Sequence, residues 1–452
     1  MPRHEGVSVK VAVIGAGITG LAAGYEAAKA GAEVVVYEAA ERAGGRLLTT
    51  ELAGQPVDEG ADAFLARVPW ATELCQELGL SDELVSPAQR AAFVYSRGEL
   101  RALPLPNVMG VPLDFDALAA SGIVSDEGVN RARQEPDLAG SPIVGDESVG
   151  ALVRRRLGDE VAERLVDPLV GGINASSIDD LSVQAAVPQL AEAASRGPSL
   201  VQELRRLAAS STADPAAPVF YTLPDGLGRL TDELGDRLGD RLRLSSPVAE
   251  LGEVDADQVI VTLPADAANA LLAPVSARAA DLLSTIDYAS VVLVSLAYDA
   301  ADVDHPRTGS GYLVPAVEGR TITACSWASS KWDHVGSADT VVLRVSAGRY
   351  GNEHALALGD DALLEAVGAD LAETMGLDAQ PHTVRISRWE QSLPQFRPGH
   401  LGLVADIEQS LAQDAPWLQV TGAWARGLGI PACIHQGRLA AQTSVAQGAV
   451  AR

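Results

Sequence analysis

Lysine is nearly missing from this chain of 452 residues: Lys10, Lys29 and Lys331 are the only three, and arginine supplies the rest of the 34 basic side chains. Against them stand 60 acidic residues, giving a net charge of -26. A field of that sign repels nucleic acid and anionic lipid, so neither is expected as a partner. Cysteine is equally scarce. Cys75, Cys325 and Cys433 lie far apart, with no CxxC and no histidine at ligand spacing, which excludes a disulfide framework and gives no zinc pattern. Buried thiols of a cytoplasmic protein are expected. No run of eighteen apolar residues occurs, so no integral membrane span is expected, and Met1 to Ser8 before the first apolar run is too short for a signal peptide. Also lacking are HExxH, a Ser-His-Asp order and a paired-carboxylate pattern. His305, His334, His354, His382, His400 and His435 are scattered, and each reads as a hydrogen-bonded structural histidine. Neither a metal site nor a catalytic side chain is expected.

What the chain does have is a nucleotide motif at its start. Val9 to Ile14 is an apolar run of strand length, and Gly15-Ala16-Gly17-Ile18-Thr19-Gly20 follows at once, leading into an alanine-rich helical stretch. Gly15 suits the tight turn, Gly17 the approach of backbone to a pyrophosphate, and Gly20 close helix–strand packing. The phosphates would sit on the helix N-terminus. A second strand, Ala32 to Tyr37, ends in Glu38, placed to hold a ribose hydroxyl.

Two further glycine turns point beyond NAD to FAD. Glu41-Arg-Ala-Gly44-Gly45-Arg46 offers backbone amides and a cation just past Glu38, where the longer ribityl and flavin portion of FAD needs them. Asp58-Glu-Gly60-Ala61-Asp62-Ala63-Phe64 is a third piece, with Gly60 allowing main chain close to a flat group. Near the far end, Gly422 to Pro431 contains Gly427-Leu428-Gly429-Ile430 before the last helix, whose free amides would stabilise negative charge on the flavin.

A length of 452 residues exceeds one ordinary core. The motifs divide it into an FAD-binding part over 1–90, a hairpin and helical cap over 91–210, a second FAD-binding part over 211–285, a substrate domain over 286–400 and a third FAD-binding part over 401–452. Ala91 to Tyr95 and Glu99 to Leu103 flank Ser-Arg-Gly as a hairpin. Pro112 to Gly150 is broken and acidic, the wrong sign for a membrane-surface helix. Strands are expected near Arg243 to Glu250, Gln258 to Leu263 and Thr383 to Trp389, and a helix near Asp360 to Met375. Residues 286–350 alternate strand and turn, which predicts an antiparallel sheet. The expected fold is therefore α/β and α+β: a Rossmann-like domain split along the chain, beside an antiparallel sheet with a helical cap.

These motifs resemble the oxygen-dependent, FAD-containing protoporphyrinogen/coproporphyrinogen oxidases, a branch of the amine oxidase-like flavoproteins. Val11 to Gly20 and Glu38 to Arg46 are similar to the whole superfamily; the narrower likeness lies in Asp167 to Ala175, Gly311 to Pro315, Ile322 to Trp332, Arg388-Trp389 and Pro394 to His400. The stretch Ala324 to Trp332 resembles the bacterial coproporphyrinogen III oxidases most. Departures are Gly60-Ala-Asp-Ala-Phe64 for a common Gly-Pro-Asp-Ser-Phe, Ile-Asn-Ala175 for Val-Tyr-Ala, Trp424-Ala425 for Ser-Tyr, and Ala92 where protoporphyrinogen-acting relatives often carry arginine.

The resemblance implies FAD as cofactor, with Ala39, Val248 and Trp389 joining the contacts above, and a porphyrinogen and O2 as partners, with H2O2 formed in haem biosynthesis. Six-electron oxidation of a reduced tetrapyrrole to the aromatic macrocycle is downhill and needs no nucleophile or metal. Arg67, Arg90 and Arg97 are candidates for the propionates, and Asn174 for the ring. Product transfer to a ferrochelatase and peripheral membrane contact are compatible with this family. Protoporphyrinogen IX oxidase is the nearest alternative. A flavin amine oxidase, which would want a lysine by the flavin and has only Lys331 to offer, is the second; a carotenoid desaturase and a flavin-fold scaffold are weaker ones.

Overall fold

The computed structural model describes residues 8–138, 140–210, 214 and 217–450. Most of the segment before the first strand, and the boundary drawn at residue 211, lie outside them.

Lys10–Ile14 is apolar on both faces, and it becomes the middle of a five-stranded parallel sheet in the order Leu242–Arg243, Glu33–Tyr37, Lys10–Ile14, Gln258–Val261, Leu418–Val420. Strands buried on both sides read as continuous hydrophobic runs, which is why they stood out. The opening helix, Ile18–Lys29, lies on this sheet, and the terminal helix, Ile430–Val450, lies across the opening helix. Glycine permits both contacts. A Cβ on Gly20 would overlap the Gly15 carbonyl oxygen, and one on Gly437 would overlap that of Thr19. The strand expected over Arg243 to Glu250 shrinks to Leu242–Arg243, because Ser245 takes a left-handed φ of 48° and Pro247 has no N–H to give a ladder.

The second sheet has seven strands in the order Thr383–Pro394, Tyr288–Asp299, Thr340–Ala347, Ile322–Ser326, Gly311–Leu313, Ala92–Ser96, Glu99–Ala102. Neighbours are antiparallel except where Gly311–Leu313 runs parallel to Ala92–Ser96, the early hairpin. Side chains of Thr340–Ala347 alternate between its faces. Val341, Leu343 and Val345 pack with Leu363, Val367 and Leu371 of the helix Asp360–Met375. Val342 packs the other way, against Leu52 and Val57 of a small hairpin formed by Thr49–Leu52 and Gln55–Asp58. That hairpin follows the Gly44-Gly45-Arg46 turn, so the second sheet is seated beside the glycine turns. The expected strand at Thr383 to Trp389 continues to Pro394, with Gln391 at a φ of 42°.

Helices between residues 115 and 210 form a third core. Its centre is a π-helical stretch, Ala162–Gly171, holding Pro168, whose missing N–H cannot close an α-helical bond. Gly110, at a φ of 83°, lies against the Leu165 carbonyl, so the segment Met109 to Pro112 packs on this π-helical stretch.

The glycine crossing gives a test of this packing. Gly437→Ala should destabilise the protein by about 2 kcal/mol or more through overpacking. Gly368→Ala, in the helix Asp360–Met375 where a Cβ meets nothing within 4 Å among the described residues, should be neutral or stabilising by up to about 1 kcal/mol. Denaturant unfolding of both variants reads the difference.

Candidate functional site

The glycine loop is built as its three positions require. Gly15 adopts a φ of 100°, and Gly20 is wedged against it. Gly17, by contrast, has an ordinary φ of -68°, and a Cβ added there would meet nothing within 4 Å among the described residues. Gly17 starts the helix Ile18–Lys29, and no side chain caps its first amides among the described residues. Space beside unpaired helix-terminal amides fits a pyrophosphate. Glu38 is held at the loop's edge: its carboxylate accepts from the Ala16 N–H at 2.7 Å and the Ala40 N–H at 2.9 Å, leaving lone pairs for a further donor. The Ser246 N–H donates to the Glu38 carbonyl at 2.8 Å, which brings the chain leading to half-buried Val248 beside Glu38 and Ala39.

A second glycine turn closes on the first. The Gly44 N–H donates to Ala16 O at 2.8 Å, and a Cβ on Gly45 would lie 3.2 Å from the Gly17 Cα. The Arg46 guanidinium, whose pKa burial lowers, reaches the second sheet and donates to Gln391 O at 2.7 Å. At Gly60 a Cβ would stand 2.6 Å from Arg46 O, so neighbouring main chain requires its bareness.

Residues 58–62 are gripped by side chains of the second sheet and of the turn before it. Arg344 donates to Asp58 O at 2.7 Å and Gly60 O at 2.6 Å, and the Trp389 indole N–H donates to Glu59 O at 2.6 Å. The Asp62 carboxylate faces Lys331 at 3.0 Å, Arg344 at 3.1 Å and the Trp332 indole N–H at 3.3 Å. Burial pushes its pKa up, but the two cations outweigh that and hold it well below the usual carboxylate range. Asp58 shows the opposite balance. It accepts from the Thr49 hydroxyl at 2.5 Å and the Leu227 N–H at 2.9 Å, yet burial dominates and raises its pKa to about 6.

At the far end of the chain the terminal helix starts close to the opening one: Gly437 sits on Thr19, and both helices begin within two turns of that contact. Gly427, at a φ of 131°, makes the corner before it. The Gln436 amide donates to Gly427 O at 3.1 Å and accepts from the Arg426 N–H at 2.9 Å. Buried His400 reaches the Trp424 and Ala425 carbonyls at 2.8 and 3.0 Å. Carbonyls only accept, so the Nε2 carries the proton, and burial lowers the pKa of the ring. His400 is thus a structural, hydrogen-bonded histidine, as its type suggested. Leu428, Gly429 and Ile430 lie between this pinned corner and the first helical turn.

The structure therefore brings together the residues from Gly15 to Gly20 with Glu38, Ala39, Gly45, Arg46, Val248 and the 427–430 corner, and it sets Gly60, Ala61, Asp62, Ala63 and Trp389 along the adjoining edge. The substrate candidates do not gather in the same way. Arg97 forms with Gly98 the left-handed turn of the early hairpin, its N–H donates to Glu318 at 3.0 Å and its guanidinium to Val124 O at 3.2 Å. The Asn174 amide donates to Val170 O at 2.8 Å. Arg67 is exposed before the helix Pro69–Leu78, and Arg90 is exposed ahead of the hairpin. Arg344 and Gln436 were overlooked. Arg344 left one signal, a charged residue inside the otherwise apolar strand Val341 to Val345.

A family model for flavin containing amine oxidoreductases matches residues 18–443. The coproporphyrinogen III oxidase of Bacillus subtilis is 31% identical, over 95% of this chain and 96% of its own. That of Mycobacterium tuberculosis is 35% identical over 93% and 94%. A crystal structure from Exiguobacterium sp. 255-15, assigned as a protoporphyrinogen oxidase, superposes with a TM-score of 0.88 at 29% identity, over 97% of this chain and 99% of that one.

The Asp62 cluster predicts a pH-dependent variant. Asp62→Asn removes the carboxylate that Lys331 and Arg344 share and should cost about 3 kcal/mol at neutral pH. Because the folded pKa is depressed, this stabilisation is present above the unfolded value near 3.8 and is lost as pH falls through the lower folded value. Melting wild type and variant side by side from pH 7 to pH 3 should show a gap that holds down to about pH 4 and narrows below it. A gap independent of pH would contradict the assignment.

Proposed function

The chain belongs to the flavin-containing amine oxidoreductases, and on that footing we propose that it is an FAD-dependent oxidase of coproporphyrinogen III, forming coproporphyrin III in haem biosynthesis. The observation that carries the substrate class is the end-to-end likeness to coproporphyrinogen III oxidases. Within the site, the fate of Lys331 supports it: the one lysine available for an amine oxidase role is bound to Asp62. Bound FAD would supply a two-electron acceptor that O2 regenerates, so six electrons leave the porphyrinogen in three rounds, with three O2 becoming three H2O2.

The protein's own residues bind and orient. The amides after Gly17 receive the pyrophosphate, Glu38 receives a ribose hydroxyl, and Arg46 lies at the junction with the second sheet. The start of the terminal helix turns the positive end of its dipole towards the same region and favours negative charge there. No side chain needs to act as a nucleophile. The four propionates of coproporphyrinogen need cations; Arg67, Arg90 and Arg97 are the candidates. No described helix is long and apolar enough to cross a membrane. Action in the cytoplasm, peripheral contact with a membrane and delivery of the product to a ferrochelatase are parts of this proposal.

A second reading, protoporphyrinogen IX oxidation, draws on the Exiguobacterium likeness. Porphyrin fluorescence and oxygen uptake, measured on both porphyrinogens and on spermine, separate the three. Coproporphyrinogen III should be oxidised faster than protoporphyrinogen IX by about tenfold or more, equivalent to 1.4 kcal/mol of transition-state discrimination, and spermine should not reduce the protein. Faster reduction by the amine would overturn the substrate class, and preference for protoporphyrinogen IX would select the second reading.

A further inference from the structure

We propose that Arg344 is a positioning residue, which holds the backbone of Asp58 to Asp62 in the place where that segment meets the cofactor while touching no part of the cofactor itself. The inference rests on the FAD reading above. Its basis is an unusual division of labour at one carboxylate. Asp62 already has Lys331 at 3.0 Å and the Trp332 indole at 3.3 Å, so neutralising it does not require a second cation. Arg344 supplies one Nη to Asp62 at 3.1 Å, and spends the other on two main-chain oxygens, Asp58 O at 2.7 Å and Gly60 O at 2.6 Å. With the Trp389 indole on Glu59 O, three successive carbonyls are fixed by side chains of the second sheet.

Strand alternation explains how Arg344 arrives there. Within Thr340–Ala347 it shares the face of Val342, which packs on Leu52 and Val57 of the hairpin leading into Asp58, while Leu343 and Val345 point to the helix on the opposite side. From the segment the contact continues inward. Gly60 is pressed on Arg46 O, the Arg46 turn includes Gly45, which lies against the Gly17 Cα, and Gly44 is bonded to Ala16 O. A shift of Gly60 therefore passes through packed main chain to the pyrophosphate loop. A lysine at 344 would keep the charge but would lack the planar fork that serves both carbonyls and the carboxylate together.

FAD affinity and the visible flavin spectrum of purified protein test this, with Arg320→Ala as the comparison. Arg320 pairs with Glu373 and Asp370 of the helix on the other face of the same sheet, so its loss should lower the melting temperature and leave the FAD Kd within about twofold of wild type. Arg344→Ala should raise that Kd by about tenfold or more, and Arg344→Lys by about threefold or more, each with an altered flavin band shape. An Arg344→Lys protein that folds and binds FAD with wild-type affinity and spectrum would overturn the proposal, and it decides the matter should Arg344→Ala fail to fold. An equal loss of FAD affinity in Arg320→Ala would also overturn it, by showing that any weakening of the sheet has this effect. Absence of FAD binding by wild type would instead remove the cofactor reading itself.

Discussion

The contact on which the structure depends is the crossing of its first and last helices, where Gly437 rests on the carbonyl of Thr19. A side chain at either Gly20 or Gly437 would push apart elements that must meet. Because they meet, two helix N-termini drawn from distant parts of the sequence lie in one region, each with a partial positive charge. The buried charges nearby serve the same contact. Glu26 of the opening helix receives Arg438 of the terminal helix at 2.9 Å, and Gln442 donates to it at 2.9 Å. The nucleotide site is thus a consequence of how the ends of the chain are closed together.

Around that crossing the second sheet acts as a wall with two different faces. One is apolar and covered by Asp360–Met375; the other carries Arg344, Ser387 and Trp389 towards residues 58–62. Polar side chains inside a sheet are costly unless bonded, and here each finds a partner in the segment opposite, which runs from the end of the small hairpin at Asp58 into a bend. The second sheet is consequently joined to this segment largely by hydrogen bonds from side chain to main chain rather than by strand pairing. Such a joint fixes geometry without merging the two cores.

Much of this was legible beforehand, and the reason is local. Lys10–Ile14, the glycine loop and Glu38 form a contiguous pattern with one physical solution, and Asp360 to Met375 carries its helix within its own residues. The seven-stranded sheet was harder, since the hairpin at Ala92–Ala102 completes it only through Gly311–Leu313, more than two hundred residues away. Arg344 was invisible as a contact for the same reason: what it bonds lies almost three hundred residues earlier. Arg97 was legible in its two-residue turn, whereas its partner Glu318 lies 221 residues further along the chain. Gly60 was legible only in part. A bare glycine signals a close approach, but sequence does not say whether ligand or protein approaches.

The porphyrinogen oxidase account stands or falls on FAD lying over Gly17. The most direct measurement is FAD binding by Gly17→Ala, because the added Cβ meets no described protein atom within 4 Å and the backbone φ of -68° accepts it. The account predicts an unchanged melting temperature for the cofactor-free protein and an FAD Kd raised by about tenfold or more; wild-type FAD affinity in this variant would contradict it.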